Sequence, residues 1–271
     1  MIPISLVLLV AQAIPNADSI MARVAENQTR AQEARTTVVY RQNVLVRLKR
    51  SNGKLAREEY AEYTVMPTPD GIKKEQTKFE GKYVDKGKTV AFAQPGFEHK
   101  GLDIDADVAK SLAEDLTNDK SKDGIGMDLF PFTKKQQVKY AFRLEGEEDY
   151  RGLPVYRITF KPKKPNCDDD ADWAGEALIH RTEFQPVLVT THMAGKIPVL
   201  VKTLLGTNVQ QLGFKVTYRK FADGLWFPVT YGGEFKIRVL FMWARQVGIS
   251  MQNSDFQRAK VESRVRFDSI E

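Results

Sequence analysis

The chain has 271 residues, room for one large all-β domain or two small ones and ample to bury a core without disulfide or metal staples. Charged residues make up 28% and hydrophobic ones 42%, which excludes a disordered chain, a collagen-like repeat and a multi-span membrane protein. Its 41 basic residues exceed the 35 acidic ones by six, too modest an excess over this length to mark a nucleic-acid binder. Cys167 is the only cysteine, so an intramolecular disulfide and a multi-thiolate zinc site are excluded by counting.

The amino terminus, MIPISLVLLVAQA, carries an apolar run from Ile4 to Val10 and then Ala11-Gln12-Ala13, the small-x-small pattern that a signal peptidase accepts. The expectation is a secretory signal over residues 1–13, one domain over residues 14–271 and a periplasmic location. The alternative is an apolar helix start that packs on the domain. The run falls well short of the ~20 residues that span a bilayer, so the mature chain is expected to lack a transmembrane helix.

From Asn16 to about Arg35 the chain is free of Gly and Pro, and Ile20, Val24 and Ala31 recur at helical spacing, which predicts an amphipathic helix. At Thr36 the period changes to two. Val38, Tyr40, Val44, Val46 and Leu48 share one face of a strand, and Arg41, Asn43, Arg47 and Lys49 the other. Asn52-Gly53 supplies the pair that a tight hairpin needs before a second strand from Leu55 to Val65. Turns at Pro69-Asp70-Gly71 and Asp85-Lys86-Gly87 set off strands near residues 72–80 and 88–93. A second helix is predicted from Asp103, where Asp105 and Asp107 complement the dipole and Val108, Leu112 and Leu116 recur at four-residue steps. Strands then resume with Tyr140 and Phe142, with Tyr156, Ile158 and Phe160, near residues 176–181 and 187–192, and with Phe214, Val216 and Tyr218. Phe235, Ile237, Val239, Phe241 and Trp243 alternate over nine residues and read as one strand, and Val261, Val265 and Phe267 as another.

Some ten or eleven strands in hairpin order, with only two helices, predict a mainly β fold. The expected architecture is a single curved antiparallel sheet of about eleven strands, forming a half-open β-barrel with two helices as a lid. Two such helices cannot shield the whole apolar face. Either the sheet closes on itself or a gap remains that a greasy ligand fills.

A family resemblance agrees with this geometry. The segment DKGKTVAFAQPG, residues 85–96, resembles the "DGKT-apolar-aromatic-P" hairpin of the outer-membrane lipoprotein-sorting family, the periplasmic carriers of the Lol type. The wider order is similar: a secretory signal, an amphipathic helix, a hairpin pair, that motif, a helical insert, then RGLPVYRITFKPK and GEALIHRTEFQPV. His180-Arg181 stands where an acidic residue is usual in that family, and Ala91 where an aromatic is frequent. The resemblance implies an unclosed β-barrel whose helices cover an apolar cavity that accepts acyl chains. The expectation from the residues is a protein that is not an enzyme and has no cofactor.

The search for chemistry agrees. There is no G-x-S-x-G elbow, P-loop or G-x-G-x-x-G, and none of His99, His180 and His192 has helix-spaced ligand partners, although His180 and His192 could be neighbours across a hairpin. Cys167 beside Asp168, Asp169 and Asp170 is set to raise a thiol pKa rather than lower it. Candidates for the lipid-binding wall are Tyr40, Val44, Val46, Phe160, Phe214, Val216, Tyr218, Ile237, Val239 and Phe241, a pattern that also describes a filled core. Arg41 and Arg47 are the candidates for latching the lid. The apolar stretch from Ile197 to Leu205 is either a short buried helix or a lip in which Leu204 and Leu205 touch acyl chains or a membrane. Lys161, Lys163 and Lys164 form a basic cluster that serves solubility or meets anionic headgroups. The expected function is a monomeric, non-enzymatic carrier of lipoprotein acyl chains or other lipid, with no nucleic acid as partner. The alternative is a regulatory sensor that binds mislocalised lipoproteins and contacts a membrane-bound partner.

Overall fold

The computed structural model describes residues 15–68, 71–99, 103–116, 131–164, 173–194, 208–210, 213–239 and 243–259. The proposed signal, Cys167 and its acidic neighbours, Leu204, Leu205, Phe241 and the Val261–Phe267 alternation lie outside them, as does the side chain of Val239.

Helix α1 (Ala17–Arg35) starts where Asn16 accepts a hydrogen bond from the Ser19 amide at 2.8 Å, with Asp18 in its first turn. Strands β1 (Val38–Arg50), β2 (Leu55–Thr68), β3 (Gly71–Asp85) and β4 (Lys88–Phe92) follow as consecutive hairpins. Helices α2 (Ile104–Leu116) and α3 (Lys134–Gln137) come next, then β5 (Tyr140–Tyr150), β6 (Leu153–Pro162), β7 (Trp173–His180) and β8 (Pro186–Met193). The last strands are β9 (Asn208–Gln210), β10 (Gly213–Ala222), β11 (Leu225–Val239) and β12 (Trp243–Arg258). All pair antiparallel in one sheet ordered β4-β3-β2-β1-β12-β11-β10-β8-β7-β6-β5, with β9 attached to β11. The fold is mainly β, an open half-barrel of eleven strands in file with helices as a lid.

Three details depart from the sequence expectations. The order is not a simple meander, because β1 pairs with β12 and the two sheet edges, β4 and β5, are consecutive in the chain. The stretch joining them is the helical insert, too long and too helical for a hairpin turn. The run from Phe235 to Trp243 is not one strand, since β11 ends at Val239 and β12 begins opposite it at Trp243. Helix α3 and strand β9 are short elements without enough period to be read from sequence.

Register explains the core. Val44 lies opposite Met251, which lies opposite Tyr231, and the row continues through Val216, Val189, Ala177 and Ile158. In the other direction it runs through Ala61 to Phe79. One apolar row thus crosses almost the whole sheet on its concave side, and Ile20, Met21 and Val24 of α1, all fully buried, join the same cluster. Polar bonds fix α1 there. Gln28 donates to Gln185 at 2.6 Å, Asn27 to the Glu183 carbonyl at 2.7 Å and Arg35 to the Trp226 carbonyl at 3.0 Å. The Glu183 carboxylate accepts from the Trp226 indole at 2.8 Å and Lys220 at 2.9 Å; burial pushes its pKa up, but these bonds outweigh it and hold the group below its ordinary value.

Tyr231 is the one polar interruption in the row. It is 2% exposed, its hydroxyl has no hydrogen-bond partner among the described residues, and burial pushes its phenol well up. An unsatisfied buried hydroxyl costs about 1–3 kcal/mol, so Tyr231→Phe is expected to raise the unfolding midpoint. Urea unfolding checks this, and a destabilised variant would reveal a partner for the hydroxyl.

Candidate functional site

Helix α2 packs on β1 and β2, over the half of the concave face that α1 leaves. Two inward-facing arginines hold its acidic first turn. Arg57 of β2, 1% exposed, ion-pairs with Glu59 at 2.6 Å and with Asp103 at 3.1 Å, and its remaining nitrogen donates to the Phe97 carbonyl at 2.5 Å. Arg245 of β12 grips both oxygens of Asp105, at 2.7 and 3.1 Å. Asp103 also caps the helix, accepting from the Ala106 amide at 3.0 Å and the His99 amide at 2.9 Å. The sign suits the site, because carboxylates at a helix N-terminus are stabilised by the dipole while the arginines neutralise them.

Beside this clamp the face is not filled. A cavity of about 330 Å³ lies between the sheet and the segment before α2, lined by Val44, Val46, Ala61, Tyr63, Phe79, Pro95 and Gly96, together with Glu59 and Lys110. An aromatic cluster adjoins it. Phe92 stacks on Phe97 with centroids 5.0 Å apart, Phe79 lies 5.9 Å from Phe92, and the Arg57 guanidinium sits 4.6 Å over the Phe92 ring. Gly81 makes room for this ring, since a Cβ there would fall 2.1 Å from a Phe92 carbon. The arrangement offers an apolar slot under a helix held by charge pairs.

The candidate wall residues divide between slot and core. Val44 and Val46 line the cavity. Phe160, Phe214, Val216 and Ile237 are buried in the cluster that includes α1, so that half of the concave face is occupied by the protein's own side chains. Tyr218 is buried in the same cluster, and Tyr40 is buried with its ring 5.4 Å from Phe256. Arg41 and Arg47 point to the other face, where Arg41 meets Asp255 at 3.6 Å and Arg47 ion-pairs with Glu58. The arginines that bond α2 are Arg57 and Arg245, which sequence reasoning missed. A signal existed: Arg57 and Glu59 occupy inward positions of β2, opposite Leu48 and Val46, where the apolar face of β1 should continue.

No cluster of His, Cys, Asp and Glu suited to a metal ion occurs among the described residues. His192 lies opposite Ala174 while His180 ends the same strand far from it, so the two are not cross-strand neighbours. Among the described residues, no helix is long and apolar enough to cross a membrane.

No family model and no curated protein matches the sequence. Solved structures show a distant likeness to LolA-type and DUF1329-like folds. A DUF1329 family protein from Desulfovibrio piger is 10% identical over 92% of this chain and 96% of that one, with a TM-score of 0.37. A LolA superfamily protein from Nitrosomonas europaea is 12% identical over 92% of this chain and 96% of that one, with a TM-score of 0.36. The lipoprotein LppX of Mycobacterium tuberculosis is 11% identical over 90% of this chain and 98% of that one, with a TM-score of 0.26. These likenesses assign the chain to no family.

Proposed function

We propose that this protein is a non-enzymatic, periplasmic binding protein that holds an acyl chain of a lipoprotein or another lipid in the slot beneath α2, for lipoprotein sorting or transport. The observation that carries the reading is the cavity of about 330 Å³ walled by Val44, Val46, Ala61, Tyr63 and Phe79 under a helix held at its acidic end. Its size is at the lower limit of the roughly 300–1,000 Å³ usual for small-molecule sites. Each methylene moved from water into it contributes about 0.8 kcal/mol, so a partly inserted chain is retained without a polar contact. A longer chain needs α2 to lift, which breaks the Arg57–Asp103 and Arg245–Asp105 pairs and makes these arginines the latch of the lid.

Filling the slot tests the reading. Ala61 is 7% exposed and its small side chain borders the cavity. Ala61→Trp is expected to weaken binding of a dansylated fatty acid at least tenfold while the circular dichroism spectrum stays native. Undiminished binding by the folded variant would place the ligand elsewhere, and failure of the native protein to bind the probe would remove the proposal. Native mass spectrometry of protein taken from its own periplasm then identifies the cargo.

A further inference from the structure

The two ends of the half-barrel differ in surface chemistry. The pairings Arg50↔Arg245, Asp85↔Lys88, Val239↔Trp243 and Tyr140↔Pro162, with the Arg50 bond to the Val84 carbonyl at 3.1 Å, place four sets of strand ends at one rim. Exposed cations sit at each: Lys54 on the first hairpin, Lys86 and Lys88 on the second, Lys236 and Arg238 near the end of β11, and Lys163 and Lys164 just past β6. The acids at this rim include Asp85, 3.9 Å from His99, and Glu234, which accepts from Gln246. Asp103 and Asp105 are already neutralised by the clamp. At the opposite rim Arg181 pairs with Glu147 at 3.0 Å and Lys220 with Asp223 at 3.1 Å, and Arg151, Arg219 and Arg258 are exposed there as well.

The exposed apolar surface is what separates the two rims. Val90, Val138 and Trp243 are the exposed large hydrophobic residues among the described ones, at 38%, 73% and 40%. Val90 is two residues beyond the β3–β4 turn, Val138 two residues before β5, and Trp243 opens β12, so all three lie at the basic rim. An exposed indole and two aliphatic side chains among exposed lysines match the interfacial region of an anionic bilayer, where Trp partitions at headgroup depth and cations meet lipid phosphates. We propose that this rim docks the protein on an anionic membrane surface, with Trp243 entering the interface. The inference rests on the acyl-chain reading for its purpose: the rim nearest the clamped end of α2 faces the lipid from which a chain is taken or to which it is given.

The full-length protein is mixed with vesicles of phosphatidylcholine alone or with added phosphatidylglycerol, and sedimentation and tryptophan emission are recorded. Trp173 and Trp226 are 4% and 2% exposed, so a blue shift on binding reports Trp243. Binding is expected only to the anionic vesicles and to weaken with salt. Each cation near such a surface is worth about fivefold, so Lys86→Glu with Lys88→Glu should weaken binding at least about 25-fold. Trp243→Ser should weaken it and abolish the shift. These side chains are exposed, and native thermal midpoints confirm folding. Equal binding to neutral vesicles, or anionic binding indifferent to both variants, overturns the proposal. Dansylated fatty acid binding by the same variants without vesicles keeps the outcomes apart: it stays native if only the docking surface is lost, and its absence in the native protein refutes the cavity reading instead.

Discussion

Arg57→Met is expected to lower the stability by about 3–5 kcal/mol, the cost typical of breaking a buried ion pair from one side. The arginine is 1% exposed, and its two carboxylate partners are nearly as enclosed, Glu59 at 13% and Asp103 at 12%. Removing the cation leaves two acids facing each other in apolar surroundings, and also frees the Phe97 carbonyl and the Phe92 ring. The Arg245–Asp105 pair is more open, at 18% and 22%, so Arg245→Met should cost less than Arg57→Met. Urea unfolding ranks the two. Arg57→Met with Glu59→Gln and Asp103→Asn should recover part of the loss, because neutral partners no longer need the cation. A loss below about 1 kcal/mol for Arg57→Met would mean that water reaches the clamp, and the latch would have no electrostatic basis.

Much of this architecture is legible in sequence where local rules act. The gap in Gly and Pro marks α1, Asn52-Gly53 marks the first hairpin, and the acidic start after Asp103 marks α2. Period-two patterning identifies which face of a strand is inward, and for Val44, Val46, Phe214, Val216 and Ile237 the structure places them on the apolar side. The pattern carries no information on what covers that face. Val44 meets a void and Phe214 meets Trp173 and Tyr231, yet both alternate identically. The same phase hides the β11–β12 hairpin. Val239 and Trp243 pair directly and lie four positions apart, an even number, so the alternation passes through the turn unbroken. The β1–β12 pairing joins residues some two hundred positions apart and leaves no local trace. Arg57 went unread for a related reason, since a charged residue in a strand reads as outward until its cross-strand partner Leu48 is known.

Gly175→Ala is expected to destabilise the protein by about 3 kcal/mol or more, whereas Gly248→Ala is expected to be neutral or stabilising by about 0.4–1 kcal/mol. The contrast follows from what each new methyl would meet. A Cβ on Gly175 would fall 2.0 Å from the Thr190 carbonyl oxygen, while one on Gly248 would find its nearest atoms at 3.9 Å. The obstructing atom at Gly175 belongs to the backbone of β8, which is bonded to β7 on one side and β10 on the other and cannot swing aside as a side chain would. Gly213 and Gly233 repeat the condition, with carbonyl oxygens 2.5 and 2.3 Å from their ideal Cβ positions. Close approaches on β7, β10 and β11 fit the use of strand glycine that lets a wide sheet curve rather than flatten. That curvature makes the apolar face concave and brings α1 and α2 over one hollow. Thermal unfolding of the two variants tests it at a rate of about 2–4 °C per kcal/mol for a chain near this size. If Gly175→Ala unfolds with the native midpoint, the strands there are further apart than the half-barrel requires, and the slot beneath α2 loses the bend that forms it.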